Sequence, residues 1–149
     1  MRFGIRLLTV ATATVATGVL LVGCSSTPAE ELEDWWSSGG GDDRVKALSD
    51  SSSHVNTASM QLMDDKRTAC QELLAAVAKA KKYGTPPSEK AKGFWAEALT
   101  DFEHGSNACV AGVDQKDEPQ TNEGIREVQR AIGILASAVS MIRSDLEAK

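Results

Sequence analysis

The strongest constraint on this chain lies near its C-terminus, where Ile125, Val128, Ile132, Leu135, Val139, Ile142 and Leu146 follow one another at alternating steps of three and four residues. A helix of 3.6 residues per turn gathers such residues into one stripe, whereas a strand scatters them over both faces. The stripe has to be covered by other elements. Residues 131–142 also carry no charge, and these twelve positions fall short of the ~20 that a membrane-spanning helix needs. They predict a helix at the centre of a bundle, with Ala131, Gly133, Ala136, Ser137, Ala138 and Ser140 letting neighbours approach closely.

The rest of the body supplies those neighbours. Val45, Leu48, Ser52, Val55, Ser59 and Leu62 repeat at helical spacing, with Asp42 or Asp43 available as an N-cap. Ala69, Leu73, Val77 and Ala80 mark a segment from about Asp65 to Lys82, closed by Lys79, Lys81 and Lys82 at the negative pole of the helix. No Gly or Pro separates these two segments, so residues 43–82 form either one bent helix or two, and the Asp64-Asp65 pair is the only mark of a cut. Tyr83-Gly84-Thr85-Pro86-Pro87 stops the helix, Ser88 opens the next, and Trp95, Ala98 or Leu99, Phe102, Ser106, Cys109 and Val113 form its stripe. Asp114 to Thr121 lacks a large apolar residue and reads as a loop. An all-α fold follows: an antiparallel bundle of three or four helices over residues 43–149, preceded by a signal peptide and a flexible tether.

The N-terminus is different in kind. Arg2 and Arg6 precede an uncharged, largely apolar run over residues 7–22, which ends in Leu21-Val22-Gly23-Cys24 and is followed by the polar Ser25-Ser26-Thr27-Pro28. This is the plan of a secretory signal peptide, residues 1–23, and not of a permanent membrane helix. Leu21-Val22-Gly23-Cys24 resembles the lipobox of bacterial lipoproteins. The resemblance implies cleavage before Cys24, a thioether-linked diacylglycerol with palmitate-type chains on its sulfur, and residence at the outer face of the cell membrane. Two acyl chains hold where one does not, because each buried CH₂ contributes about 0.8 kcal/mol.

Residues 24–42 then read as the lipidated Cys and a flexible tether, rich in Ser, acids and the Gly39-Gly40-Gly41 run. Leu32, Trp35 and Trp36 interrupt it and share one face of a helical turn. Packing against the end of the bundle and contact with the membrane interface are both open to them, with packing favoured because Glu30, Glu31, Glu33 and Asp34 would be repelled by anionic head groups.

Charge narrows the function. Without residues 1–23 the chain has 126 residues and, having lost Arg2 and Arg6, carries −7 where the whole carries −5. Nucleic-acid binding draws its affinity from clustered cations, so it is excluded as a partner class. No phosphate loop, nucleophile elbow, zinc-protease motif or calcium loop occurs, so neither an enzyme nor a cofactor is expected. Glu97, Asp101 and His104 share one helix face, but a bundle metal site needs ligands on the facing helices, and the opposing stripes are Leu, Val, Ile, Ala and Ser. No metal is expected there, and His54 reads as a boundary residue. Lys79, Lys81, Lys82, Lys90 and Lys92 gather near the Pro86-Pro87 turn, where they suit either solvent, anionic lipid or a partner. Trp35, Trp36, Lys79, Lys81 and Lys82 are therefore the candidate partner contacts.

Cys70 and Cys109 are the only cysteines left once Cys24 is lipidated, and an exported protein meets an oxidising compartment. Measured from a turn between Lys82 and Ser88, the two lie about 18 and 32 Å down their helices at 1.5 Å per residue. An extended Tyr83–Pro87 segment, rising about 15 Å, brings them level, so a disulfide is predicted.

From Asp65 to Val113 the layout resembles small exported helical-bundle proteins of high-GC Gram-positive bacteria and their phages. The residues that carry it are Cys70-Gln71-Glu72-Leu73, Pro86-Pro87, Trp95 to Leu99 and Cys109. The resemblance implies a fold and a compartment, and no active site. The function expected from all of this is a non-catalytic interaction module of the cell envelope, held by a lipid anchor and binding an envelope or phage protein. The alternatives are a phage-encoded lipoprotein that excludes a second phage, and, less in keeping with the apolar stripes, a small-ligand carrier or enzyme.

Overall fold

The computed structural model describes residues 26–148. The signal peptide and lipidated Cys24 expected from the sequence lie outside the described residues. Within them are five α-helices and one π-helical segment: α1 (Pro28–Glu33), the π segment (Asp34–Ser38), α2 (Gly41–Ala58), α3 (Met63–Tyr83), α4 (Ala91–Gln115) and α5 (Glu118–Glu147). Helices α2 to α5 run up and down in sequence. Lys81 meets Glu103 while Arg67 meets Asp114, and Ser88 meets Asp145 while His104 meets Glu127, which is the register of antiparallel neighbours.

Residues 43–82 form two helices. The break falls at Ser59–Leu62, where the Ser59 hydroxyl donates to the Asn56 carbonyl at 2.6 Å and offers the backbone a partner other than the next helical turn. Leu62, expected on the first buried stripe, instead stands in extended backbone ahead of α3 and is 77% exposed. Asp42 and Asp43 do not cap α2. The helix begins at Gly41, after Gly40 at φ 84°, and the two acids lie in its first turn, where the helix dipole favours them.

The next turn follows the expected chemistry. Gly84 takes φ 105° and ends α3, and the Ser88 hydroxyl accepts the N–H of Ala91 at 3.1 Å while its carbonyl accepts that of Lys92 at 2.9 Å. Ser88 therefore acts as the N-cap of α4 although the regular helix starts three residues on. The expected loop from Asp114 to Thr121 shrinks to Lys116 and Asp117. Lys116 adopts the left-handed conformation at φ 57°, Asp117 donates its N–H to the Gly112 carbonyl at 2.8 Å, and its side chain accepts the N–H of Gln120 at 2.9 Å. Pro119 thus opens α5 and does not interrupt it.

Trp95 and Phe102 fill the core with Leu48, Val55, Leu73, Val77 and Val128, all of them fully buried. Helices α4 and α5 pack most closely because glycines face backbone there. A Cβ on Gly124 would stand 2.5 Å from both the Cys109 nitrogen and the Gly105 carbonyl oxygen, and one on Gly112 would stand 2.5 Å from the Thr121 nitrogen. The small residues expected to admit neighbours along 131–142 play this part less than Gly105, Gly112 and Gly124 do.

Helix α5 is not central. Ala131, Leu135, Ala138 and Ile142 are buried, but Ile132 and Val139 line an open groove of about 630 Å³ against α2. The uncharged stretch reflects this half-covered side. Among the described residues no helix is long and apolar enough to cross a membrane.

Candidate functional site

Two ends of the bundle concentrate the residues that can meet something outside it. At the proximal end, where the described chain begins, Thr27 and Glu30 form a reciprocal cap and start α1 at Pro28. Leu32, 2% exposed, packs with Ala91 and Ile142, so the packed body reaches back into the 24–42 segment expected as tether. A turn with one strongly apolar face cannot remain solvated beside an apolar bundle end.

Trp35 stands edge-on to Trp95, with ring centroids 5.5 Å apart at 87°, and lies 5.3 Å from the Tyr83 ring. The Tyr83 hydroxyl donates to the Trp35 carbonyl at 2.6 Å, and the Arg44 guanidinium lies 5.5 Å over the Tyr83 ring. Burial pushes the Tyr83 hydroxyl above its ordinary pKa, with Arg44 opposing. Trp35 therefore fastens the proximal segment to the core. Trp36 is half-buried beside the Leu32 and Ile142 cluster.

The expected lysine patch is spread along α3 and α4. Lys79, Lys81 and Lys82 are exposed, and Lys81 is engaged with Glu103. Lys90 pairs with Asp145 at 2.7 Å, and Lys92 with Glu89. Asp145 also accepts the Ser88 hydroxyl at 2.7 Å. The Lys90 ammonium first and the Ser88 hydroxyl second hold the Asp145 carboxyl below the usual carboxylate range. The start of α4 is thereby tied to the end of α5.

Glu97, Asp101 and His104 are not drawn together. His104 Nδ1 lies 2.7 Å from Glu127 and Asp101 lies 3.8 Å from Arg130, so the facing helix supplies ion-pair partners from positions beside its apolar stripe. His54 similarly meets Glu72 at 2.7 Å across α2 and α3. Among the described residues no group of three or more His, Cys, Asp or Glu side chains is placed to hold a metal ion. The predicted disulfide is formed, with Cys70 and Cys109 at a Cα separation of 6.4 Å.

The distal end carries residues whose exposure or burial the sequence pattern did not foretell. Met60, 92% exposed, and Leu62 project from the α2–α3 turn. Beside them Lys66 is buried and lines a groove of about 510 Å³ with Gln61, Asn122, Ile125 and Gln129. The signal was present: Lys66 stands in helical register with Ala69, Cys70 and Leu73, a lysine on an otherwise apolar stripe. Compared with protein-family models, curated proteins and solved structures, the chain matches none of them.

Proposed function

We propose that the protein is a lipid-anchored, non-catalytic interaction module that stands on the outer face of the cell membrane and binds another protein there. The observation that carries the reading is the short path between the expected anchor and the packed body. Cys24 precedes Pro28 by four residues, and α1, which begins there, is seated on the bundle end through Leu32. An anchor so close to a rigid body limits its tumbling. The aromatic end then faces the bilayer, and the α2–α3 and α4–α5 turns face away from it, about 45 Å further out along α5 at 1.5 Å per residue over its 30 residues.

The composition of the core supports binding over catalysis. It is filled by Trp, Phe, Leu, Val, Ile and Ala side chains, and the grooves of the molecule are open surface clefts, which suit recognition of a larger partner.

Cys24→Ser provides the test of anchoring. The variant is expected to accumulate uncleaved or to leave the membrane fraction for the medium. A variant that is processed and sediments with membranes as the wild type does would overturn the lipoprotein reading.

A further inference from the structure

Lys66 is 6% exposed, on the stripe of α3 that packs into the bundle. Packing takes its aliphatic stem out of water. Its Nζ is not among the buried polar atoms that lack a partner, so the ammonium is held at the surface with no carboxylate beside it. Among the described residues none is in ion-pair contact with it. Its stem is covered by packing, and the side chain opens onto the distal groove between the α2–α3 turn and the first turns of α5.

The lining of that groove defines what it accepts. It holds two cations, Lys66 and Arg126, against one acid, Glu118, in a chain that is acidic as a whole. Arg126 is already engaged by Glu123, which leaves Lys66 as the cation of the lining without a carboxylate. The Gln61 and Asn122 side-chain amides, which both donate and accept, suit a peptide backbone. Met60, 92% exposed, lines the groove and offers apolar contact, and Leu62, 77% exposed, stands two residues on in the same turn.

We propose that this groove takes an acidic side chain from a protein partner, its carboxylate on the Lys66 ammonium and its apolar neighbours against Met60 and Leu62. A carboxylate fits better than a phosphate for two reasons. Lys66 is a single point charge, where phosphopeptide sites gather arginine forks. Glu118 on the same groove opposes a dianion about twice as strongly as a monoanion. Exposed apolar residues beside a cation whose stem is fixed by packing offer a partner both an apolar anchor and a positioned charge.

The inference rests on the interaction-module reading and names the surface through which it works. The experiment is an NMR titration of the purified full-length chain with three probes: an acetylated, amidated peptide with Glu between leucines, its Gln counterpart, and inorganic phosphate. The Glu peptide is expected to shift the resonances of Lys66, Gln61 and Asn122 saturably at millimolar concentration, and the Gln peptide and phosphate to leave them in place. Lys66→Met, which keeps the stem and removes the charge, is expected to abolish the response. Met60→Ser with Leu62→Ser, both at exposed positions, is expected to weaken it about tenfold and serves if Lys66→Met does not fold. The proposal is overturned by the absence of a saturable shift with the Glu peptide, by an equal response in Lys66→Met or in the rim variant, or by saturation with phosphate alone. A silent groove in a protein that still crosslinks to an envelope partner would overturn this inference and leave the interaction module standing.

Discussion

Individual glycines decide how closely the two longest helices meet. Gly124 faces the backbone of Cys109 and Gly105, so Gly124→Ala forces α4 and α5 apart and is expected to cost about 1–3 kcal/mol, the usual range for overpacking. Gly133 sits on the same helix, and a methyl group placed there would meet nothing within 4 Å, so Gly133→Ala is expected to stabilise by about 0.5–1 kcal/mol through backbone entropy. Urea denaturation of the two variants checks both signs, and equal effects would refute the close approach. Composition shows small residues in both regions but not which of them faces a neighbour. That depends on helix rotation, and helix rotation is settled by the bulk of Trp95 and Phe102.

At the scale of elements, the apolar stripes made the helices legible, and turn chemistry made their ends less so. Ser88 was readable as a cap, and its hydroxyl does accept the Ala91 N–H. Pro119 suggests a loop because proline commonly ends helices, yet proline also opens them, here behind Asp117. The π segment at Asp34–Ser38 has no periodic signature of its own and forms where Trp35 turns toward Trp95 and Tyr83. The Lys66 groove was hidden for a related reason, since the α2–α3 turn that frames it has neither Gly nor Pro to announce it. Two cross-links between elements can be tested. The Cys70–Cys109 disulfide closes a separation of 39 residues between α3 and α4, which in the chain-entropy model stabilises by about 3–4 kcal/mol. Cys70→Ala with Cys109→Ala is expected to lose about that much, measured by urea denaturation, and no loss would mean that packing alone aligns the two helices. The second link is Asp145 with Ser88 and Lys90. Its folded pKa is depressed, so its contribution is present above the ordinary carboxylate pKa and is lost as pH falls through the folded value. Asp145→Asn is expected to be less stable than wild type near neutrality and to lose less stability on acidification. Parallel stability curves for the two proteins between neutral and acid pH would contradict the assignment.

In the whole molecule, an anchor expected at Cys24 precedes in sequence, by four residues, the helix at a proximal end closed by Leu32, Trp35 and Tyr83, and the opposite end exposes Met60 and Leu62. Of the partner contacts suggested by the sequence, Trp35 is engaged in the fold and Lys81 is paired with Glu103, whereas Lys79 and Lys82 remain on the surface. The most direct test of an anchored module that binds through its distal end is site-specific photocrosslinking in intact cells, with a photoreactive residue replacing Leu62 at the distal end in one strain and Lys82 near the proximal end in another. A discrete protein adduct is expected from position 62 in the anchored protein, and its loss when Cys24→Ser is added. Adducts from position 82 alone, or an undiminished adduct from position 62 in the Cys24→Ser background, would contradict it.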